Sequence, residues 1–115
     1  MKESFWILLL VIGTGCGSVG LSNRTALAAL IKPAEAHWKD AGFSEPRVAS
    51  ASHLYIVKCA RCHQVYNPTD YSGADWRSWM TRMSKKAHLT ADQEQLLSQF
   101  TGTVRTAAEL RGKNN

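Results

Sequence analysis

The clearest periodic signal in the chain lies between Asp75 and Ala87. At about 100° per residue, Trp76, Trp79, Met80, Met83 and Ala87 fall within one narrow arc, while Arg77, Thr81, Arg82 and Lys85 take the other side. That pattern predicts an amphipathic helix with an aromatic and thioether face. Thr90 with Gln93 three residues later has the form of a capping box, which predicts a further helix through Phe100 with Leu96, Leu97 and Phe100 as its apolar stripe. Gly102 is placed to end it, and Arg105 to Asn115 then forms a polar, fraying tail. Upstream, Ala51 to Cys62 contains no Gly or Pro and predicts a third helix, with Ser50 or Ser52 as its cap. Pro68 and Gly73 bracket a loop. From Leu21 to Val48, Ala-rich stretches are broken by Pro33, Gly42 and Pro46, which predicts short helical turns joined by irregular chain. Trp38, within that stretch, is expected to pack over the edge of the core. There is little strand signal and no internal repeat, so the fold class is all-α, a small bundle of three or more helices.

Residues 1 to 16 change the picture at the N-terminus. Lys2 precedes an apolar run from Phe5 to Ile12, followed by small residues up to Cys16. The run falls well short of the roughly 20 apolar residues that span a bilayer, so it resembles a secretory signal more than a membrane helix. Gly13-Thr14-Gly15-Cys16 resembles a bacterial lipoprotein cleavage site, although Gly13 stands where an apolar residue such as Leu is usual. Lipidation at Cys16, ordinary cleavage further on, for instance after Ala28, and an uncleaved anchor are the three alternatives.

With that segment removed 99 residues remain, one domain with modest core material, to which a cofactor would add. Fourteen Lys and Arg stand against nine Asp and Glu, a net charge of +5. The basic residues are scattered rather than drawn into a stripe with interleaved aromatics, which argues against nucleic acid. The surplus favours acidic partner proteins or an anionic lipid surface.

The chemistry concentrates in Cys59-Ala60-Arg61-Cys62-His63, the C-x-x-C-H pattern of covalent haem attachment. Two thiols about one helical turn apart can each add to a porphyrin vinyl group, and the adjoining imidazole then falls beneath the iron. Random placement of three Cys and four His in 115 residues gives this pattern roughly 0.003 times. A structural zinc site needs four ligands, and no second Cys or His pair stands at suitable spacing. A thioredoxin-like pair belongs beside a βαβ pattern, which is lacking. A local disulfide gives His63 no purpose. The cysteine count agrees, because two are consumed by haem c and Cys16 belongs to the export signal.

Around the motif, Ala51-Ser-His-Leu-Tyr55-Ile-Val-Lys58-Cys-Ala-Arg-Cys-His63 resembles the first helix of class I cytochromes c. Leu54 and Tyr55 occupy the family's aliphatic and aromatic positions before the first Cys. The family commonly has Gly where Ala51 stands, at the crossing of the first and last helices, and Phe100 resembles the aromatic that packs there. The resemblance covers residues 51 to 100. It implies a cytochrome c-like helical bundle wrapped around one haem. It also implies that a proline carbonyl after the motif, here that of Pro68, accepts the proton on the second ring nitrogen of His63.

The chain departs from the family in its sixth ligand, because no Met follows Met83 toward the last helix. The run Tyr66-Asn-Pro68, then Trp76-x-x-Trp79-Met80-x-x-Met83, then Leu89-Thr90 with Gln95-Leu96-Leu97, is more similar to small bacterial monohaem domains that bring Met from a helix. That resemblance implies Met83, and the helical wheel independently puts Met83 near the centre of the apolar arc and Met80 near its edge. Met at helical spacing is also ordinary core. Met80 is therefore the second candidate, and a His (His37, His53 or His88) or an open iron are the alternatives.

The expectation is a monohaem c-type cytochrome, with Cys59 and Cys62 bound to haem and His63 as proximal ligand. It would carry single electrons outside the cytoplasm, in a bacterial periplasm, free or membrane-tethered, between redox partner proteins. Trp76 and Trp79 would shield the macrocycle. A haem-based sensor with an open or labile sixth site, and a haem subunit of a larger oxidoreductase, are the rival functions. Independent catalysis finds no acid and base constellation beside the motif. The expected layout is a signal over 1–16, an irregular extension over 17–48, the cytochrome domain over 49–102 and a polar tail over 103–115.

Overall fold

The structure, a computed structural model, describes residues 17–114, with side chains from Leu21 onward. Cys16 and the apolar run before it lie outside the described residues. Among the described residues all regular structure is helical: α1 (Gly17–Ile31), α2 (Glu45–Leu54), α3 (Gly73–Lys86) and α4 (Ala91–Lys113). Shorter turns join them, a 3-10 turn at Lys32–His37, a π turn at Tyr55–Cys59 and a 3-10 turn at Pro68–Asp70.

The stretch expected to be irregular is instead a full helix followed by a 3-10 turn. Asn23 and Leu27 are buried on α1, Leu30 and Ile31 half-buried, and Ala34 of the following turn is fully enclosed. These positions recur every three or four residues and share one face. Pro33 does not interrupt α1, because it sits in the first turn of the 3-10 segment, where a missing N–H costs little. The chain then reverses at Gly42, whose φ of 78° lies in the left-handed region, and Phe43 N–H donates to the Trp38 carbonyl at 2.8 Å.

α2 starts earlier than Ser50 or Ser52. Its cap is Ser44, whose hydroxyl accepts from Arg47 N–H, and Pro46 occupies the first turn. The hydroxyls of Ser50 and Ser52 bond back to the carbonyls of Pro46 and Val48, as interior serines do. The helix also ends sooner than Cys62. From Tyr55 it widens into a π turn, closed by Ala60 N–H donating to the Tyr55 carbonyl, and Arg61 and Cys62 lie in an open turn.

Ser72 caps α3 by accepting from Asp75 N–H at 3.1 Å. That helix closes in a Schellman arrangement, with His88 N–H on the Lys85 carbonyl, Leu89 N–H on the Ser84 carbonyl, and His88 itself at φ 53°. The capping box of Thr90 and Gln93 is present in both its bonds. Gly102, however, does not end α4, and residues 103–113 are not a loose tail. Interior Gly costs about 1 kcal/mol relative to Ala. Burial of Thr103, Val104 and Ala107 beyond it offsets that cost, since about 0.8 kcal/mol accrues per buried methylene-sized group.

One core serves the whole described chain. Trp38 stacks on Phe100 with ring centroids 5.3 Å apart and planes 10° apart, Phe43 meets Trp38 edge-on, and Tyr55 lies on Phe100 at 6.3 Å. Ala51, Leu97 and Ala107 are fully enclosed in the same cluster, where α2 packs across α4. Residues 27 to 43 therefore belong to the core they were expected to precede, and the expected boundary at residue 48 falls within one hydrophobic cluster. Among the described residues no helix is long and apolar enough to cross a membrane.

Candidate functional site

Where the π turn and the following loop approach α3, packing gives way to a cavity of about 220 Å³. Its lining comprises Tyr55, Cys59, His63, Tyr66, Tyr71, Trp76, Trp79, Met80 and Met83. Two successive segments, the stretch from Tyr55 to Tyr71 and the helix α3 that follows it, thus bring a thiol, an imidazole and two thioethers to one apolar space, without a Lys, Arg, Asp or Glu among the lining residues. Cys59 is half-buried at the end of the π turn, and burial pushes its thiol up to about 11 from an ordinary value near 9. Burial also raises Tyr55 far above its usual value, with Cys59 and Tyr71 adding smaller charge repulsion. Its hydroxyl donates to the Tyr66 carbonyl at 3.0 Å, which ties the loop after the motif to α2.

The structure orients His63. Its Nδ1 lies 2.8 Å from the Gln64 carbonyl, a bond that fixes the proton on Nδ1 and leaves Nε2 as a free donor pair. The expected partner was Pro68. Its carbonyl instead accepts from Arg105 Nη1, which also donates to the Tyr71 carbonyl at 2.7 Å. Arg105 reaches this loop because α4 continues past Gly102. The His63 ring packs at 4.8 Å from Tyr66, which in turn meets Tyr71 edge-on.

Met80 and Met83 both face the cavity. Met80 is the more buried, but it also borders a second, polar groove between α3 and α4 together with Arg77 and Arg105. Met83 lines the apolar cavity and not that groove. Trp76 forms the floor and is held by its Nε1 donating to Thr101 Oγ1 at 3.1 Å. Trp79 is 42% exposed at the mouth, with the Arg82 guanidinium 4.6 Å over its ring.

The other histidines stand elsewhere. His53 borders a surface groove between α1 and α2, His88 is the exposed left-handed residue ending α3, and His37 closes the 3-10 turn after α1. Cys62 is exposed and does not line the cavity. The reason is local: the helix expected to carry both thiols on successive turns underwinds at Tyr55 and stops at Cys59, which turns Cys62 outward. Among the described residues no three Cys, His, Asp or Glu side chains gather as a metal site.

Two contributors were not legible in the sequence. Tyr71 lies outside every periodic segment, and it is held at the cavity wall by the Arg105 bond to its carbonyl and by its ring packing 5.9 Å from Trp76. Asn23 reaches the motif from α1: its Nδ2 donates to the Ala60 carbonyl at 3.3 Å and its Oδ1 accepts from Val65 N–H at 3.2 Å. No family model, no curated protein and no solved structure matches this chain.

Proposed function

We propose that this chain is a small monohaem c-type cytochrome acting as a one-electron carrier outside the cytoplasm. The observation that carries the proposal is the convergence of Cys59, His63, Met80 and Met83 on one apolar cavity. The donor set fits the group: thiols for covalent attachment, one imidazole with its second nitrogen already engaged, and thioethers from the facing helix. The cavity is smaller than the roughly 300–1,000 Å³ of most ligand pockets, so it would enclose a macrocycle only in part. When bound, haem supplies reversible one-electron chemistry.

The chain's own residues supply the rest. Cys59, which lines the cavity, and Cys62, which stands outside it, would hold the group. His63 is the proximal ligand, its ring set by the Gln64 carbonyl. Met83 would be the thioether ligand, because it lines this cavity and not the polar groove that Met80 also borders, and Met80 is the second choice. Trp76, Tyr55 and Tyr71 exclude water, and a dry thioether site disfavours the more highly charged ferric state. The basic surplus favours redox partners with acidic surfaces.

A haem-based sensor is the rival reading, and one experiment separates the two. Optical spectra of the mature protein, oxidised and reduced, are recorded with and without carbon monoxide for wild type and Met83→Ala. A weak sulfur-to-iron charge-transfer band and resistance to carbon monoxide, both lost in the variant, are the expected result. Ready carbon monoxide binding by the wild type would overturn the carrier reading in favour of ligand chemistry, and a chain that matures without haem would overturn both.

A further inference from the structure

The structure assigns to Asn23, on α1, the role of positioning residue for the loop that carries the attachment motif, so that α1 is a working part of the haem site. This rests on the reading of Cys59–His63 as that motif. Asn23 is 6% exposed, and its side-chain amide spans the loop, donating to the carbonyl of Ala60 and accepting from the N–H of Val65. Those two groups flank Arg61, Cys62, His63 and Gln64, the residues that follow the end of the π turn and have no helix of their own.

The chemistry explains the residue type. Bridging a backbone carbonyl and a backbone N–H from one side chain needs a donor and an acceptor on one short planar group, which Asn provides. A carboxylate cannot donate, and a hydroxyl is too short to reach both groups at once. Buried backbone groups left unpaired are costly, so the clamp and the loop conformation enforce each other. The clamp holds the chain on either side of His63 while the Gln64 carbonyl holds the ring itself. Leu27, one helical turn further along α1, anchors the helix in the core and touches no part of this bridge by hydrogen bond.

The full-length chain tests this in two arms, with Asn23→Ala and Asn23→Ser as clamp variants and Leu27→Ala as the comparator that loosens the same helix. Before haem attachment, amide hydrogen exchange at Val65 should run about tenfold faster in both Asn23 variants, while Leu97 and Phe100 amides keep their protection. Leu27→Ala should lower the melting temperature and leave Val65 protected. In the haem-loaded chain, exchange at Val65 should likewise be faster in the Asn23 variants alone. Unchanged Val65 exchange in the Asn23 variants, or the same two effects in Leu27→Ala, overturns the assignment. A wild-type chain that takes up no haem overturns the reading of the motif instead, and the Val65 amide then decides the clamp alone.

Discussion

The two halves of this small molecule are built on opposite principles. Around α4, aromatic and aliphatic side chains close on one another: Trp38 stacks on Phe100, Leu97 and Ala107 are fully enclosed, and Phe43 fills the remaining edge. Around α3 and the 55–71 segment, side chains just as apolar stand back from one another and leave a space of about 220 Å³. Interiors are normally packed as densely as organic crystals. A chain of this size has little core to spare, and the apolar hollow lined with sulfur and imidazole is where its packing is left incomplete. The packed half stabilises the fold, and the hollow half trades stability for a site.

The difference can be broken most directly by truncation on each side. Phe100→Ala removes the ring on which both Trp38 and Tyr55 rest and should cost about 3–5 kcal/mol in chemical denaturation. Trp79→Ala, at the cavity mouth, should cost under about 1 kcal/mol in the same assay. Equal losses would mean that the two halves are not distinct in the way described.

A smaller effect concerns pH and belongs to the hollow half. Below about pH 9 the Cys59 thiol is protonated in both folded and unfolded chains, and stability is unaffected by it. Between about 9 and about 11 the unfolded chain releases the proton while the folded one retains it, so stability falls as pH rises through that window. Denaturation midpoints of the chain should decline there. In Cys59→Ala the fall between about pH 9 and about pH 10 should be absent, and what remains above about 10 belongs to Tyr55, whose burial likewise keeps its hydroxyl protonated in the folded chain.

The smallest expected effect lies in the packed half. Gly102 is helical, and a methyl group added there meets no atom within 4 Å, so Gly102→Ala should raise stability by about 0.5–1 kcal/mol. A loss in thermal denaturation would show that this stretch of α4 needs the freedom of glycine after all.

Local signals carried far in this sequence. The 3.6-residue arc of Trp76, Met80 and Met83, the Thr90 and Gln93 capping box and the all-helical class each depend on neighbours within a turn or two, where spacing alone decides which side chains meet. The C-x-x-C-H motif is likewise local, and its Cys59 and His63 do face one space. The misjudged positions follow the same logic from the other side. Pro33 looked like a break because its place in the first turn of a 3-10 segment depends on where α1 stops, and Gly102 looked like a stop because the gain from burying Val104 and Ala107 depends on what lies against them.

What the sequence by itself determined is therefore the helical class, the amphipathic face of α3 and the set of chemically able residues, since these follow from bonding and spacing along one stretch of chain. Tertiary structure alone decided that residues 27–43 share the core, that Cys62 turns outward, that Arg105 takes the Pro68 carbonyl, and that Asn23 clasps the loop between Ala60 and Val65 from 37 and 42 residues away. A hydrogen bond across such a separation leaves no periodic trace, because it is set by how helices pack and not by any repeat in the chain.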